Sequence, residues 1–211
     1  WDLPDPGETV RIEFTVPRLR EGVYRVVIEA REPDTDEAVL RQERDFTVRA
    51  PSFPRITAIG QLVDALAYLA REDEYEYLQA AEGPAEQKRR FDAFWGEHIP
   101  NRQEARNVIR TYYARVEEAN LFFSTYKDGW KTDRGMLYIV LGAPLYVDRR
   151  IDSEVWVYNY GQRDESSTFI FERVPIYGSE GTFYNHVLQR DMMHDYRWRR
   201  ILERWRNGEV L

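Results

Sequence analysis

The chain has 211 residues, of which 43% are hydrophobic, 14% aromatic and 32% charged, with a formal net charge of -7 and no cysteine. These fractions are near those of ordinary globular proteins and exclude disordered, collagen-like and low-complexity chains. The lack of cysteine excludes thiolate metal sites, thiol nucleophiles and disulfides. No stretch is long and apolar enough to form a transmembrane segment. The acidic total argues against a nucleic-acid partner.

The first fifty residues predict antiparallel β-strands. Polar and apolar residues alternate over Thr9–Val16 and Val23–Ala30, and a third run covers Gln42–Val48. Such alternation is typical of a sheet with one buried face. The stretch Leu19–Tyr24 resembles a late hairpin of an immunoglobulin-like sandwich, but three strands are too few to close one. We therefore expect residues 1–50 to be a truncated β-sandwich-like domain, with packing of these strands on the rest of the chain as the alternative.

The next segment predicts helices. Two prolines within Arg49–Pro54 mark a domain boundary, so residues 51–211 are expected to form an α+β domain. Beyond the prolines, apolar residues recur every three or four positions, as on one face of a helix. The predicted helices cover Ile59–Ala70, about Tyr75–Ala81 after an interruption at Glu72–Glu74, Pro84 to near Pro100, and Asn101 to about Thr125, the last one stopped by Gly129 in a left-handed conformation.

The remaining part of the chain predicts a small sheet and a final helix. The apolar run Met136–Leu141 predicts a short buried central strand, and residues alternate over Glu154–Tyr160 and Ser167–Arg173. Residues 178–185 predict a glycine-rich loop or an edge strand. In the tail, two tryptophans recur at helical spacing, which predicts a helix that docks on the core and exposes its arginines to solvent. We favour this interpretation over an RNA-binding or membrane-surface helix. The fold class is therefore α+β: N-terminal antiparallel strands, a helical segment packed on a small, mainly antiparallel sheet, and a C-terminal helix.

Common catalytic and metal-binding patterns are missing from the sequence. The three histidines, His98, His186 and His194, do not have the spacing of a helical zinc pair. The sequence has neither a phosphate-cradling glycine loop nor the Gly-x-Ser-x-Gly elbow of serine hydrolases. Its 37 acidic residues are too many to single out an acid–base pair from spacing alone. We therefore expect no metal and no cofactor, and we leave open whether the protein is an enzyme.

One loop stands apart from the rest of the sequence, and we call residues Gly129–Gly135 the motif loop. Its two terminal glycines allow a positive φ or the close approach of another backbone. Thr132 and Asp133 are expected to accept hydrogen bonds from N–H groups of the loop. Trp130 is expected to anchor the loop in the core, and Arg134 to reach a carboxylate on a helix.

These residues resemble a known family. Gly129, Trp130, Thr132 and Asp133 match the motif that names the GWxTD domain, a bacterial module of uncharacterised function. Further features that look like the family pattern, together spanning Ala85–Arg173, are Phe94-Trp95, the stretch Arg115–Asn120, Arg134-Gly135, the Gly142-Ala143-Pro144 turn and Trp156-x-Tyr158. The resemblance implies an exported or lipoprotein-like protein of the cell envelope, hence an extracytoplasmic location in the periplasm or at the outer membrane. Because the family has no established activity, the resemblance implies no catalytic residue.

Two functions remain open at this stage. The leading hypothesis is a non-enzymatic envelope module that binds a partner protein or a glycan, with aromatic side chains supplying contact area. The alternative is an envelope hydrolase that acts on peptide or cell-wall material, with Asp133 as acid or base, Arg134 as an anion clamp, and Thr132 and Trp130 lining a cleft. We favour a structural role for these four residues, and the oligomeric state stays open.

Overall fold

The computed structural model describes residues 13–158, 167–176, 184–190 and 196–210. Its elements, in chain order, are β1 (Gly22–Arg31), β2 (Ala38–Val48), α1 (Ile59–Ala65), α2 (Glu72–Gln79), α3 (Pro84–His98), α4 (Arg102–Phe123), α5 (Asp133–Leu141), β3 (Tyr146–Arg149), β4 (Ser153–Tyr158), β5 (Ser167–Pro175), β6 (Tyr184–Leu188) and α6 (Tyr196–Arg206). The protein therefore has the predicted α+β class. Among the described residues, no helix is long and apolar enough to cross a membrane.

The N-terminal strands form a two-stranded antiparallel hairpin. The prediction of a strand over Thr9–Val16 is wrong for residues 13–16, which have no strand structure, and residues 9–12 lie outside the described part. One face of the hairpin carries ion pairs such as those of Arg25 with Glu43 and Asp45. No second sheet layer covers the hairpin within the described residues, so the sandwich and the domain division at residue 51 stay predictions.

Helices α1 to α4 overlap the predicted helices, but the first is shorter than predicted, because α1 ends at Ala65 and a 3-10 turn, Leu66–Tyr68, follows it. The side chain of Asn101 caps α4 by accepting hydrogen bonds from the backbone N–H groups of Gln103 and Glu104, at 3.0 and 3.1 Å. The predicted interruption at Glu72–Glu74 is wrong, because these acidic residues form the first turn of α2. Negative charges at this end of a helix interact favourably with the helix dipole. The predicted stop at Gly129 is also wrong: α4 ends at Phe123, and an extended residue follows it.

The apolar run Met136–Leu141 is helical, so the prediction of a central strand is wrong. Thr132 caps the start of α5 by accepting a hydrogen bond from the N–H of Gly135 at 3.0 Å. Gly142 ends the helix with a φ of +80°, a conformation that glycine adopts without strain. A short apolar run between glycines is compatible with a buried helix as well as with a buried strand. Here the Thr132 cap stabilises the helix.

Strands β3 to β6 form one antiparallel sheet in the order β3-β4-β5-β6, as the prediction of a small antiparallel sheet required. Helix α6 packs on α5, where the fully buried Trp205 donates its indole N–H to the carbonyl of Val140 at 2.8 Å. The predicted docking of the tail helix is thus confirmed. Its arginines are not all solvated, however: Arg206 is 4% exposed and forms an ion pair with Glu74 at 2.6 Å.

Candidate functional site

The two glycines of the motif loop lie where backbones touch. A Cβ atom added to Gly129 would lie 2.7 Å from the carbonyl carbon of Ala119 in α4. A Cβ atom added to Gly135 would lie 2.8 Å from the carbonyl carbon of Gly129 and 3.0 Å from the Cα of Trp130. These atoms belong to the backbone and cannot turn aside like a flexible side chain. Close approach, one of the two predicted reasons for the glycines, is therefore the correct one.

Trp130 anchors the motif loop in the core, as predicted. It is 8% exposed, and its backbone N–H donates to the side-chain oxygen of Asn120 at 3.2 Å. The other end of the Asn120 amide donates to the carbonyl of Pro54 at 3.1 Å. The carbonyl of Trp130 accepts a hydrogen bond from the hydroxyl of Tyr68 at 2.6 Å. These bonds join α4 and the motif loop to the segments that precede and follow α1.

Thr132 and Asp133 are occupied by structural hydrogen bonds. The hydroxyl of Thr132 donates to the carbonyl of Gly129 at 2.7 Å while it caps α5. Asp133 does not bond the loop, contrary to the prediction. Its carboxylate accepts a hydrogen bond from the backbone N–H of Leu188 at 2.8 Å and lies 3.4 Å from Arg190. Asp133 therefore joins the start of α5 to strand β6.

Arg134 reaches a carboxylate, but that carboxylate lies on a strand and not on a helix. Its Nη1 lies 3.4 Å from Oε2 of Glu154 in β4. Glu154 is 5% exposed, and its Oε1 accepts a hydrogen bond from the indole N–H of Trp156 at 2.6 Å. The Nε of Arg149 lies 3.5 Å from Oε2. Burial lowers the pKa of Arg134 and the charge of Glu154 opposes this shift, so the two groups face each other as an ion pair.

Arg134 also lines a cavity of about 370 Å³, which we call the arginine cleft. Its charged lining residues are Arg134, Arg149, Arg150, Arg173 and Glu154, and Thr125, Ser153, Tyr184 and His186 complete the wall. A smaller adjoining cavity of about 90 Å³ shares Thr125, Arg134, Tyr184 and His186 and also touches Thr132 and Asp133. The motif loop thus ends at an open cavity.

The register of the sheet explains why the cleft is polar. Glu154 lies opposite Phe171, which lies opposite Leu188, so these side chains point to the same face of the sheet. One row further along that face, Arg173 lies opposite His186. The face therefore changes from buried apolar residues to charged and polar ones toward the cleft.

Three buried polar atoms at this cleft lack a hydrogen-bond partner: the hydroxyl oxygen of Thr125, Nε of Arg134 and Nδ1 of His186. In the described part of the chain, the one other such atom is the indole nitrogen of Trp95. Burial, helped by the charge of Arg134, lowers the pKa of His186 to about 4. The imidazole is therefore neutral at neutral pH.

A model of the GWxTD domain family matches residues 33–207. The chain belongs to the GWxTD domain family. The match extends well beyond the Ala85–Arg173 segment in which the sequence features were recognised, from the turn of the β1–β2 hairpin to the end of α6. Neither the curated proteins nor the solved structures contain a match to this chain.

The other predicted features of the GWxTD domain lie in the core or in turns. Trp156 packs against Phe171, with ring centroids 5.0 Å apart. The hydroxyl of Tyr158 donates to the carbonyl of Gly142 at 2.9 Å, which fixes the turn after α5. Pro144 lies half-buried in the same turn. Among the described residues, no cluster of His, Asp and Glu side chains could hold a metal ion.

Most residues of the arginine cleft could not be recognised from the sequence. Glu154 and Arg173 stand in alternating strands like ordinary solvated charges, and the spacing of His186 indicates an ordinary surface or core histidine and not a metal ligand. One signal for Glu154 was present in the sequence. Alternate residues of a strand face the same side, so Glu154 lies on the side of Trp156, and a tryptophan indicates that this side is buried. Strand register decides which residues of neighbouring strands lie opposite each other, and a short sequence motif carries no information about register.

Proposed function

We propose that this protein is a non-enzymatic binding module of the cell envelope, and that a partner protein or glycan inserts a polar group into the arginine cleft. Membership of the GWxTD family, which resembles exported proteins, supports the extracytoplasmic location. The cleft supports the binding role, because it is concave and open and is lined by convergent polar groups on secondary-structure elements.

The observation that carries this proposal is the convergence of three unpartnered buried atoms on one cavity, from Thr125, Arg134 and His186. A buried polar group without a partner costs about 1–3 kcal/mol, so native proteins seldom keep one. Where several occur together, a bound group that satisfies them recovers that free energy. Binding at this position is therefore favoured over binding on the exposed surface of α6.

Several contacts argue against the hydrolase alternative. Thr132 and Asp133 are engaged in the bonds that hold α5 to the motif loop and to β6. Glu154 is bound on both carboxylate oxygens. The hydroxyl of Thr125 and Nδ1 of His186 each lack a partner, so they do not form the hydrogen-bonded pair of an activated nucleophile and its base.

A retention experiment tests the proposal. The immobilised protein is incubated with envelope extract of the source organism and, separately, with its surface glycans. Arg173→Gln removes a charge from the cleft at an exposed position, and Arg200→Gln removes one from the exposed surface of α6. We expect the wild type and Arg200→Gln to retain the same partner or glycan, and Arg173→Gln to lose it.

Two outcomes would contradict the proposal. Repeated failure to retain any protein or glycan would remove the binding role, and retention unaffected by Arg173→Gln would place it away from the cleft. The hydrolase alternative makes its own prediction, which is release of soluble products from peptide or cell-wall substrates by the wild type but not by Asp133→Asn. Circular dichroism of each variant shows that the comparison is between folded proteins.

A further inference from the structure

The charged groups of the arginine cleft are mainly hydrogen-bond donors, because four of the five are arginines. Arg134 uses Nη1 for Glu154, while its Nε carries an unpartnered N–H group. The carboxylate of Glu154 is the acidic group of the wall, and both of its oxygens already accept hydrogen bonds. Because a guanidinium only donates, a ligand group that bonds Arg134 must be an acceptor, and the hydroxyl of Thr125 can donate to the same group.

The charges of the cleft also favour a ligand that accepts hydrogen bonds. Of its four arginines, Arg150 forms an ion pair with Asp148 at 2.9 Å, outside the wall. Arg134 and Arg149 both face the carboxylate of Glu154, Arg173 has no ion pair with that carboxylate, and the neutral His186 adds no charge. The cleft is thus positive, although the whole chain has a formal net charge of -7.

The orientation of Arg134 narrows the kind of ligand further. With Nη1 turned to Glu154, the opposite edge of the guanidinium presents Nε–H beside Nη2. Two parallel N–H groups of this kind match the two oxygens of a carboxylate or phosphate. Arg173 lies on the rim of the same cavity, where its guanidinium carbon is 3.9 Å from the ring centroid of Tyr184. This stacking holds a second cation over the cleft.

We propose that the arginine cleft is an oxyanion-binding site, which takes a carboxylate or phosphate group of the ligand between Arg134, Thr125 and Arg173. The inference rests on the proposed binding function and gives its ligand a chemical class. Arg134 supplies the buried contact and orientation. Arg149, whose side chain is 78% exposed, contributes mainly to the attraction of the anion from solution.

Nuclear magnetic resonance of the ¹⁵N-labelled protein tests the site directly. The side-chain Nε–H signal of Arg134 is followed while sodium acetate or sodium phosphate replaces sodium chloride at constant ionic strength and neutral pH. We expect a saturable shift of this signal with acetate, phosphate or both, and the stronger of the two identifies the anion. Arg173→Gln should weaken the binding about tenfold, the effect of losing one charge-assisted hydrogen bond.

Arg200→Gln is the matched control, because it removes the same charge from α6. Equal weakening by both variants would overturn the inference, since the anion would then respond only to the overall charge. Absence of a saturable shift with either anion would also overturn it. If no anion binds but the wild type retains a partner or glycan that Arg173→Gln does not, the oxyanion inference fails while the proposed binding function stands. A specific anion shift without any retained partner or glycan would leave the oxyanion site and remove the binding-module proposal.

Discussion

Gly135→Ala tests whether the motif loop depends on backbone contact. In a helix without this contact, the change would stabilise the protein by roughly 0.5–1 kcal/mol, because alanine has the higher helix propensity. Here the new Cβ would clash with the carbonyl oxygen of Gly129, and it would also lie 2.8 Å from the carbonyl carbon of Gly129 and 3.0 Å from the Cα of Trp130, against an ordinary separation of about 3.5–4.0 Å. Overpacking of this kind costs typically 1–3 kcal/mol, and rigid backbone neighbours place it at the upper end. We expect a net loss of about 2 kcal/mol.

Urea denaturation followed by circular dichroism measures this loss. A change of about 2 kcal/mol lowers the melting temperature of a protein of this size by roughly 4–8 °C. Gly96→Ala is the matched control, since Gly96 also lies in a helix and nothing lies within 4 Å of its added Cβ. That variant should be as stable as the wild type or slightly more stable. If Gly135→Ala is equally well tolerated, close backbone approach is not the reason for this glycine.

Three further changes test the contacts around the cleft. Asp133→Ala removes the acceptor for the N–H of Leu188 and should lower the free energy of unfolding by about 0.5–2 kcal/mol in urea denaturation; unchanged or raised stability would favour the catalytic role instead. Glu154→Ala leaves the indole N–H of Trp156 and a buried arginine without their acceptor, so a loss of about 3–5 kcal/mol is expected, with a smaller one for Glu154→Gln. If Glu154→Ala lowers the free energy of unfolding by no more than the loss of an exposed ion pair does, about 1 kcal/mol, this prediction is wrong. The pKa of His186 in the folded protein is about 4, below the ordinary 6.5, so the unfolded chain binds the proton first as the pH falls. Stability should therefore decline from about pH 6.5 toward pH 4, and denaturation at several pH values should show a flatter decline for His186→Gln; an identical slope in both proteins would contradict this.

Local signals were sufficient for the helices that have clear ends. Pro84 at the first turn of α3 and the Asn101 cap of α4 are strong start signals, and the apolar residues between them follow a helical period. The run Met136–Leu141 carries no comparable period, because nearly every position in it is apolar. Its helical state follows from the Thr132 cap and from packing against α4.

The candidate site was predictable only in part. The motif loop stood out in the sequence, and the core position of Trp130 followed from its chemistry. The partner of Arg134 did not, because Glu154 lies 20 residues away and meets it through the packing of α5 on the sheet. Arg173 and His186 are brought together by the register of β5 and β6.

The sequence by itself determined the α+β class, the positions of α1 to α4, the antiparallel sheet, the docking of the C-terminal helix and the family. These features depend on period, caps and turn residues, which act over a few neighbouring positions. Only the tertiary structure decided that the glycines of the motif loop serve close packing, that Asp133 joins α5 to β6, and that the arginines meet at one cleft. Such contacts join residues far apart in the chain, and their geometry depends on strand register and helix packing, which local residue patterns do not encode.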